Sequence, residues 1–151
     1  APQNAFQILQ GIETVALRME RHCTNAAKVS DWLAKQKTVS KVIYPGQMKG
    51  EARRRADAYL KGGHGGLVGM ELAGGAEAGR RFIDALQMFY HVANIGDARS
   101  LAIHPATTTH SQLDSDELLQ AGVTPGYVRL SIGIEHVDDI LADLEQALAK
   151  A

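Results

Sequence analysis

YVRLSIGI, residues 127–134, is the stretch that decides the fold, because its apolar side chains alternate strictly with other residues. Every even position is apolar, and the odd positions after Tyr127 carry Arg129, Ser131 and Gly133. A period of two is typical of a β-strand that buries one face against a core. The pattern therefore predicts a sheet with one covered apolar face, and it places Arg129 on the opposite face.

The regions around this strand alternate between helical and strand patterns, and hairpin-type turns are few. This organisation predicts an α/β fold in which a small, mostly antiparallel sheet is covered by helices. The last helix has two acidic residues in its first turn, where the helix dipole favours them. The predicted elements are a long helical region 4–35, a strand 39–44, a helix 51–61, a strand 67–72, a helix 76–88, a strand 100–103, a helix 116–120 capped by Asp114 or Ser115, and a final helix from 137.

The first helical region is longer and more apolar than a small domain needs. It extends over more than thirty residues, whereas a typical globular helix has about 11–12. It is either two helices or one helix that reaches beyond its own domain. Its first half is apolar on more than one side, so a partner that covers it is missing; the residues concerned are Ile8, Leu9, Ile12, Val15 and Leu17.

Composition excludes several classes of protein. The chain has 151 residues, 45% hydrophobic, which suits one well-packed domain, and its net charge of −1 gives no basic excess for nucleic acid. No window approaches the roughly 18 apolar residues of a membrane span. The single cysteine, Cys23, is interpreted as a packed helix residue and favours a reducing compartment, so we expect a cytoplasmic protein. The missing initiator methionine fits either methionine removal or a chain cut from something longer.

Arg129 is the first candidate site residue. A guanidinium with small neighbours can offer a planar fork of donors to a carboxylate or a phosphate. The alternative is a solvated arginine on an edge strand, and both interpretations are open at this point. Ser100 begins another predicted strand, and if the two strands are neighbours, its hydroxyl and the guanidinium would converge on one ligand carboxylate.

Other motifs carry weaker signals. The glycine-rich loop 62–66 lacks both the Walker lysine and the dinucleotide-binding register, so it does not predict a phosphate site. His104 and His110 share no helical face and have no cysteine pair beside them, so we expect no metal site. A loop histidine bonded to backbone is the simpler interpretation. No nucleophile elbow is present, which argues against covalent hydrolysis.

Four motifs together resemble one known family. Residues 94–101 read NIGDARSL, residues 104–110 read HPATTTH, residues 128–135 read VRLSIGIE, and residues 4–22 contain NAF, LQGIET and RMERH. In this order they closely resemble the C-terminal domain of the Cys/Met-metabolism family of pyridoxal-phosphate enzymes. The resemblance covers essentially the whole chain. Within the family, it is greatest to members that make homocysteine from O-acetylhomoserine and sulfide by γ-replacement.

The resemblance implies a fold, a site and partners. It implies the small C-terminal domain of a fold-type I transferase, with a linking helix at 1–36 and the α/β domain at 37–151, in an enzyme that is a homotetramer. Arg129 matches the arginine that binds the substrate α-carboxylate, and Ser100 matches a serine that helps hold that carboxylate and the catalytic lysine. No residue of the chain matches a catalytic or cofactor-binding position.

The resemblance also implies a missing part. The family's cofactor lysine belongs to a preceding large domain, and no lysine here lies in a matching motif. Without it the chain cannot carry out the reaction by itself. Two alternatives stay open: a domain of a sister enzyme, such as a methionine γ-lyase or a cystathionine-forming relative, or a non-catalytic module that binds amino acids through Arg129.

Overall fold

The computed structural model describes all 151 residues as six helices and five strands, with two short 3₁₀ turns. None of the helices is both long and apolar enough to cross a bilayer. In chain order the elements are α1 (Pro2–Glu13), α2 (Val15–Leu33), β1 (Val39–Ile43), a 3₁₀ turn (Pro45–Gln47), α3 (Gly50–Tyr59), β2 (Leu67–Leu72), α4 (Gly75–Ala85), β3 (Tyr90–His91), β4 (Leu101–Ile103), a 3₁₀ turn (Pro105–Thr107), α5 (Ser115–Gln120), β5 (Tyr127–Ser131) and α6 (Val137–Leu148).

The five strands form one sheet in the order β1-β2-β5-β4-β3. The pairs β1–β2, β2–β5 and β5–β4 are antiparallel, and only β4–β3 is parallel, which confirms the mostly antiparallel prediction. Strand β5 has a hydrogen-bonded neighbour on each side, so the interpretation of Arg129 as an edge-strand residue is wrong. The two-residue strand β3 was not predicted, because two residues carry no periodicity.

Helices α2, α4 and α6 cover one face of the sheet and form the core with it. The even positions of β5 and the residue after it face these helices: Val128, Leu130 and Ile132 are 0% exposed. The sequence alternation correctly predicted this buried face. Phe82 of α4 and Leu144 of α6 are equally buried. Asp143, also on α6, accepts hydrogen bonds from three consecutive backbone N–H groups after α4, at 2.9, 2.8 and 3.2 Å.

The predicted helical region 4–35 is two helices that are interrupted at Thr14, where φ is −109° and ψ is 6°. Beside the interruption, Arg18 donates to the carbonyl oxygen of Gly11 at 2.9 Å. Helix α1 buries no residue, whereas the second half of α2 lies in the core. The expected uncovered apolar surface is confirmed, and the exposed side chains are Phe6, Ile8, Leu9, Ile12, Val15, Leu17 and Met19. The proposed domain boundary at residue 36 stays a prediction.

The ends of the shorter helices follow their local chemistry. Asp114 caps α5 by accepting from the N–H groups of Asp116 and Glu117, and the Glu117 side chain accepts in return from the Asp114 N–H. This capping box satisfies donors that the helix itself leaves free. Of the two predicted caps, Asp114 is therefore the correct one. At α6, Asp138 and Asp139 lie in the first turn, as predicted.

Candidate functional site

Arg129 lies in the middle of β5, on the face of the sheet that no helix of the core covers. It stands opposite Gly69 of β2 and Ile103 of β4. A Cβ at position 69 would lie 2.8 Å from the ring of Tyr127, so a larger residue there would push on that ring. Gly69 thus leaves room for the Tyr127 ring, two residues before Arg129 on the same strand.

The guanidinium of Arg129 is held from one side. Its Nη2 donates to the carbonyl oxygens of Ala93 and Asn94 at 2.5 and 3.2 Å. Its Nε is buried and has no hydrogen-bond partner. Buried donors are almost always paired in folded proteins, and an exception calls for an explanation such as an absent ligand. An arginine anchored at one nitrogen, with donors left over, is suited to receive a planar anion.

A cleft of about 510 Å³ opens beside this guanidinium, and the segment 93–97 forms its other wall. Asn94 is exposed, and its side-chain amide makes no hydrogen bond, so it is free to face a ligand in the cleft. The only acidic residue in the lining is Asp97. A hydrogen bond from the backbone N–H of Arg99 lowers the pKa of Asp97, and the Arg99 guanidinium lies 3.5 Å from its carboxylate. Because Arg99 compensates Asp97, Arg129 dominates the field in the cleft, which favours an anion.

Ser100 is placed differently from the expectation. Strands β4 and β5 are neighbours, as the convergence hypothesis required, but Leu101 and Ile103 are the residues that pair with the face carrying Arg129. Ser100 precedes Leu101, so the alternation of side chains directs it to the other face. It is 0% exposed, its Oγ donates to Glu135 at 3.0 Å, and that Oγ accepts from the N–H of Gly133 at 2.9 Å. The Ser100 hydroxyl thus makes its hydrogen bonds to Glu135 and Gly133 and none to the guanidinium of Arg129.

Asn94 is the residue that sequence reasoning left without a role. It lies in the motif 94–101, to which the resemblance assigns Ser100 and no role for Asn94. The available signal was the position of Asn94 at the start of the motif 94–101.

The two histidines singled out in the sequence have structural partners. The buried ring of His104 makes hydrogen bonds to the carbonyl oxygen of Pro125 at 2.7 Å and to the Thr107 hydroxyl at 2.8 Å. Burial lowers the pKa of His104. The hydrogen bond to Pro125 confirms the expectation that this histidine is bonded to the backbone. The ring of His110 contacts the hydroxyl of Thr109. No group of three or more His, Cys, Asp and Glu side chains is arranged around a possible metal position.

The glycine-rich loop is also used within the fold. The carbonyl oxygen of Gly65 accepts from the Tyr44 hydroxyl at 3.2 Å, and that of Gly66 accepts from the N–H of Ile132 at 2.8 Å. These contacts attach the loop to β1 and to the end of β5. The sulfur of Cys23, on α2, would lie 2.8 Å from a Cβ at Gly63, so helix and loop approach closely there.

No lysine of this chain is buried in the structure. All of them are exposed, and they are Lys28, Lys35, Lys37, Lys41, Lys49, Lys61 and Lys150. A lysine that forms a Schiff base needs a desolvated or electrostatically tuned environment to be reactive. The described residues therefore do not fit covalent attachment of a carbonyl cofactor.

Comparisons with known proteins give one consistent result. Residues 1–149 match the model of the family described as Cys/Met metabolism PLP-dependent enzyme. The O-acetyl-L-homoserine sulfhydrylase of Leptospira meyeri is 54% identical over 149 residues, which are 98% of this chain and 34% of that protein. The L-methionine gamma-lyase of Pseudomonas putida is 44% identical over 98% of this chain and 37% of its own length.

A solved crystal structure contains a region with the same fold as this chain. A crystal structure of a candidate O-acetylhomoserine (thiol)-lyase from Campylobacter jejuni matches 99% of this chain with a TM-score of 0.90 and 45% identity. It carries a pyridoxyl-lysine monophosphate at position 205 of that protein, and this chain covers 35% of it. The chain thus spans about a third of the length of the relatives it matches.

Proposed function

This chain belongs to the Cys/Met-metabolism family of pyridoxal-phosphate-dependent enzymes, and we propose that it is the C-terminal domain that binds the amino-acid substrate in such an enzyme. The observation that carries the proposal is Arg129, whose buried Nε lacks a partner beside an open cleft. The substrates of amino-acid metabolism carry an α-carboxylate, the planar anion that an arginine fork binds best.

In this proposal Arg129 holds the α-carboxylate, and the free amide of Asn94 adds a donor on the same side of the cleft. Fixing the carboxylate restricts rotation about Cα and orients the bond from Cα to its proton, which is the kind of positioning that accelerates a bound reactant. The cofactor, when bound by the rest of the enzyme, supplies the electron sink for removal of that proton. The sequence resemblance implies that Ser100 contacts the substrate carboxylate. We propose instead that Ser100 acts indirectly, through its hydrogen bonds to Glu135.

The reaction is proposed to be γ-replacement. Acetate leaves Cγ of O-acetylhomoserine, and sulfide adds to the same carbon to give homocysteine. Relatives named sulfhydrylase are 54% and 49% identical to this chain, whereas the one named L-methionine gamma-lyase is 44% identical. The higher identity supports the sulfhydrylase over the sister enzyme. The exposed apolar residues of α1 disfavour a free-standing amino-acid-binding module, because such a module has no cover for them.

Several properties of the whole protein are part of the proposal. The remaining two thirds of the polypeptide would pack on α1 and supply the cofactor lysine, so the isolated chain is expected to be inactive. A homotetrameric assembly and a cytoplasmic location remain predictions from the resemblance and from the single cysteine.

The proposal is tested by assaying the full-length protein that contains this chain. We expect homocysteine from O-acetylhomoserine and sulfide at a kcat/KM at least about tenfold above that for release of methanethiol from methionine, a modest discrimination for an enzyme. The opposite ratio would assign the chain to the lyase. No turnover of either substrate, with the cofactor bound, would refute the assignment to this reaction class.

A further inference from the structure

The segment 93–100 supports Arg129 at one end and is fastened at the other by Glu135. Its first two carbonyl oxygens, from Ala93 and Asn94, are the acceptors that hold the guanidinium. Its last residue, Ser100, donates its N–H to Oε1 of Glu135 at 2.6 Å and its hydroxyl to Oε2 at 3.0 Å. The conformation of one end therefore depends on how the other end is held.

Between these two ends the segment lies against the connection from β5 to α6. The N–H of Gly96 donates to the Ser131 hydroxyl at 3.2 Å, and the N–H of Ile134 donates to the carbonyl oxygen of Ala98 at 2.9 Å. A Cβ at Gly133 would lie 2.5 Å from that same carbonyl oxygen. The packing is too close to admit a side chain, so a shift of the connection must be transmitted to the segment.

Glu135 is itself held in place. Asn25 of α2 donates its side-chain amide to the carbonyl oxygens of Gly133 and Glu135, at 3.0 and 2.9 Å. The Glu135 carboxylate forms no salt bridge, and its two oxygens accept only from Ser100. Hydrogen bonds to an ionised acceptor are about twice as strong as neutral ones. The two bonds to Ser100 thus hold this end of the segment, as the bonds from the Arg129 guanidinium hold the other end.

We infer that Glu135 is a positioning residue for the amino-acid substrate: by fixing Ser100, it holds the segment 93–100 so that the carbonyls of Ala93 and Asn94 orient the Arg129 guanidinium. Glu135 touches neither substrate nor cofactor. The inference rests on the proposed function, in which Arg129 binds the substrate carboxylate. The inference also gives Ser100 a role: it donates the two hydrogen bonds by which Glu135 fixes the segment, and it does not contact the ligand.

The test is a double-mutant cycle in the full-length enzyme with Glu135→Ala, Arg129→Ala and the two together. We expect Glu135→Ala to raise the KM for O-acetylhomoserine about tenfold and to change kcat less than about threefold, because orientation of the carboxylate anchor is lost while the cofactor site is untouched. The Kd of the amino acid, from titration of the cofactor absorbance, should rise by the same factor. In the Arg129→Ala background, Glu135→Ala should add less than about twofold, because residues that act through one another are not additive.

A matched control and a milder variant keep the test decisive. Glu145→Ala removes an exposed carboxylate of α6 that makes no side-chain bond, and its KM should equal that of the parent. Glu135→Gln keeps the shape and one acceptor oxygen, so its KM should lie between the parent and Glu135→Ala. If Glu135→Ala does not fold, Glu135→Gln replaces it in the cycle.

Two results would overturn the inference while leaving the proposed function intact. In one, Arg129→Ala raises KM but Glu135→Ala and Glu135→Gln do not. In the other, the effects of Glu135 and Arg129 multiply fully, as expected for a merely structural residue. If Arg129→Ala itself leaves KM unchanged, the proposed function fails, and the inference fails with it.

Discussion

Replacement of Arg129 is the most direct test of the site. In the full-length enzyme, Arg129→Ala removes the guanidinium that faces the cleft and that donates to Ala93 and Asn94. Those two carbonyls lie in an exposed segment, so water can replace the lost donor and the fold should tolerate the change. The loss should therefore fall on the ligand rather than on stability.

The expected magnitude follows from the free donors. A carboxylate in the cleft can accept one hydrogen bond from the unpartnered Nε and one from the adjacent Nη2, and bonds to charged groups contribute about 1.5–3 kcal/mol each. Arg129 is partly exposed, so solvent screens the pair and the lower end of that range applies. Two such bonds give about 3 kcal/mol, which is a rise of roughly 100- to 200-fold in the KM for O-acetylhomoserine. Arg129→Lys keeps the charge but loses the planar fork, so its KM should lie between the two.

The assay combines steady-state homocysteine formation with the cofactor absorbance of the purified protein. Cofactor occupancy of Arg129→Ala should match the parent, because no residue of this chain holds the cofactor covalently. Arg54→Ala, on the exposed face of α3, serves as the control for removing an arginine and should change neither quantity. Equal losses of substrate and cofactor binding, or no loss of either, would refute the assignment of Arg129 as the carboxylate anchor.

Three further predictions concern the stability of the full-length protein. Gly79→Ala should destabilise it by about 1–3 kcal/mol in denaturant titrations, because the new Cβ would lie 2.5 Å from Nε2 of His104; an unchanged midpoint would contradict this packing. Asp143→Ala should cost about 3 kcal/mol, since it leaves three consecutive N–H groups without their acceptor, whereas Asp84→Ala on the exposed side of α4 should cost almost nothing. Burial lowers the pKa of His104, so the folded state binds its proton less readily than the unfolded chain does. The stability from neutral His104 should be fully present above the ordinary histidine pKa of about 6.5 and should fall as the pH drops below it, by up to about 1.4 kcal/mol per pH unit. His104→Gln should flatten this slope.

The sequence alone predicted those features of the fold that depend on residues close to one another in the chain. The alternation at 127–134 predicted a strand with a buried face, and Val128 and Leu130 are fully buried because a pleated strand allows no other arrangement. The capping of α5 by Asp114 was predictable for the same reason, since the two partners are three residues apart. By contrast, no glycine or proline marks the break between the helices at Thr14. The hydrophobic pattern alone therefore could not distinguish one long helix from two.

The placement of Ser100 could not be predicted from the residues close to it in sequence. Its neighbourhood in sequence gives a hydroxyl at the start of a strand, and that chemistry suits a ligand as well as a structural bond. The answer depends on the register between β4 and β5, which directs Ser100 away from Arg129, and on Glu135, a partner 35 residues further along the chain. A buried hydroxyl that donates to a carboxylate has no proton left for a ligand. Asn94, near the other end of the segment, lines the cleft and accepts from the guanidinium through its carbonyl oxygen. One motif therefore contains both a residue that lines the cleft and the residue through which Glu135 holds the segment in place.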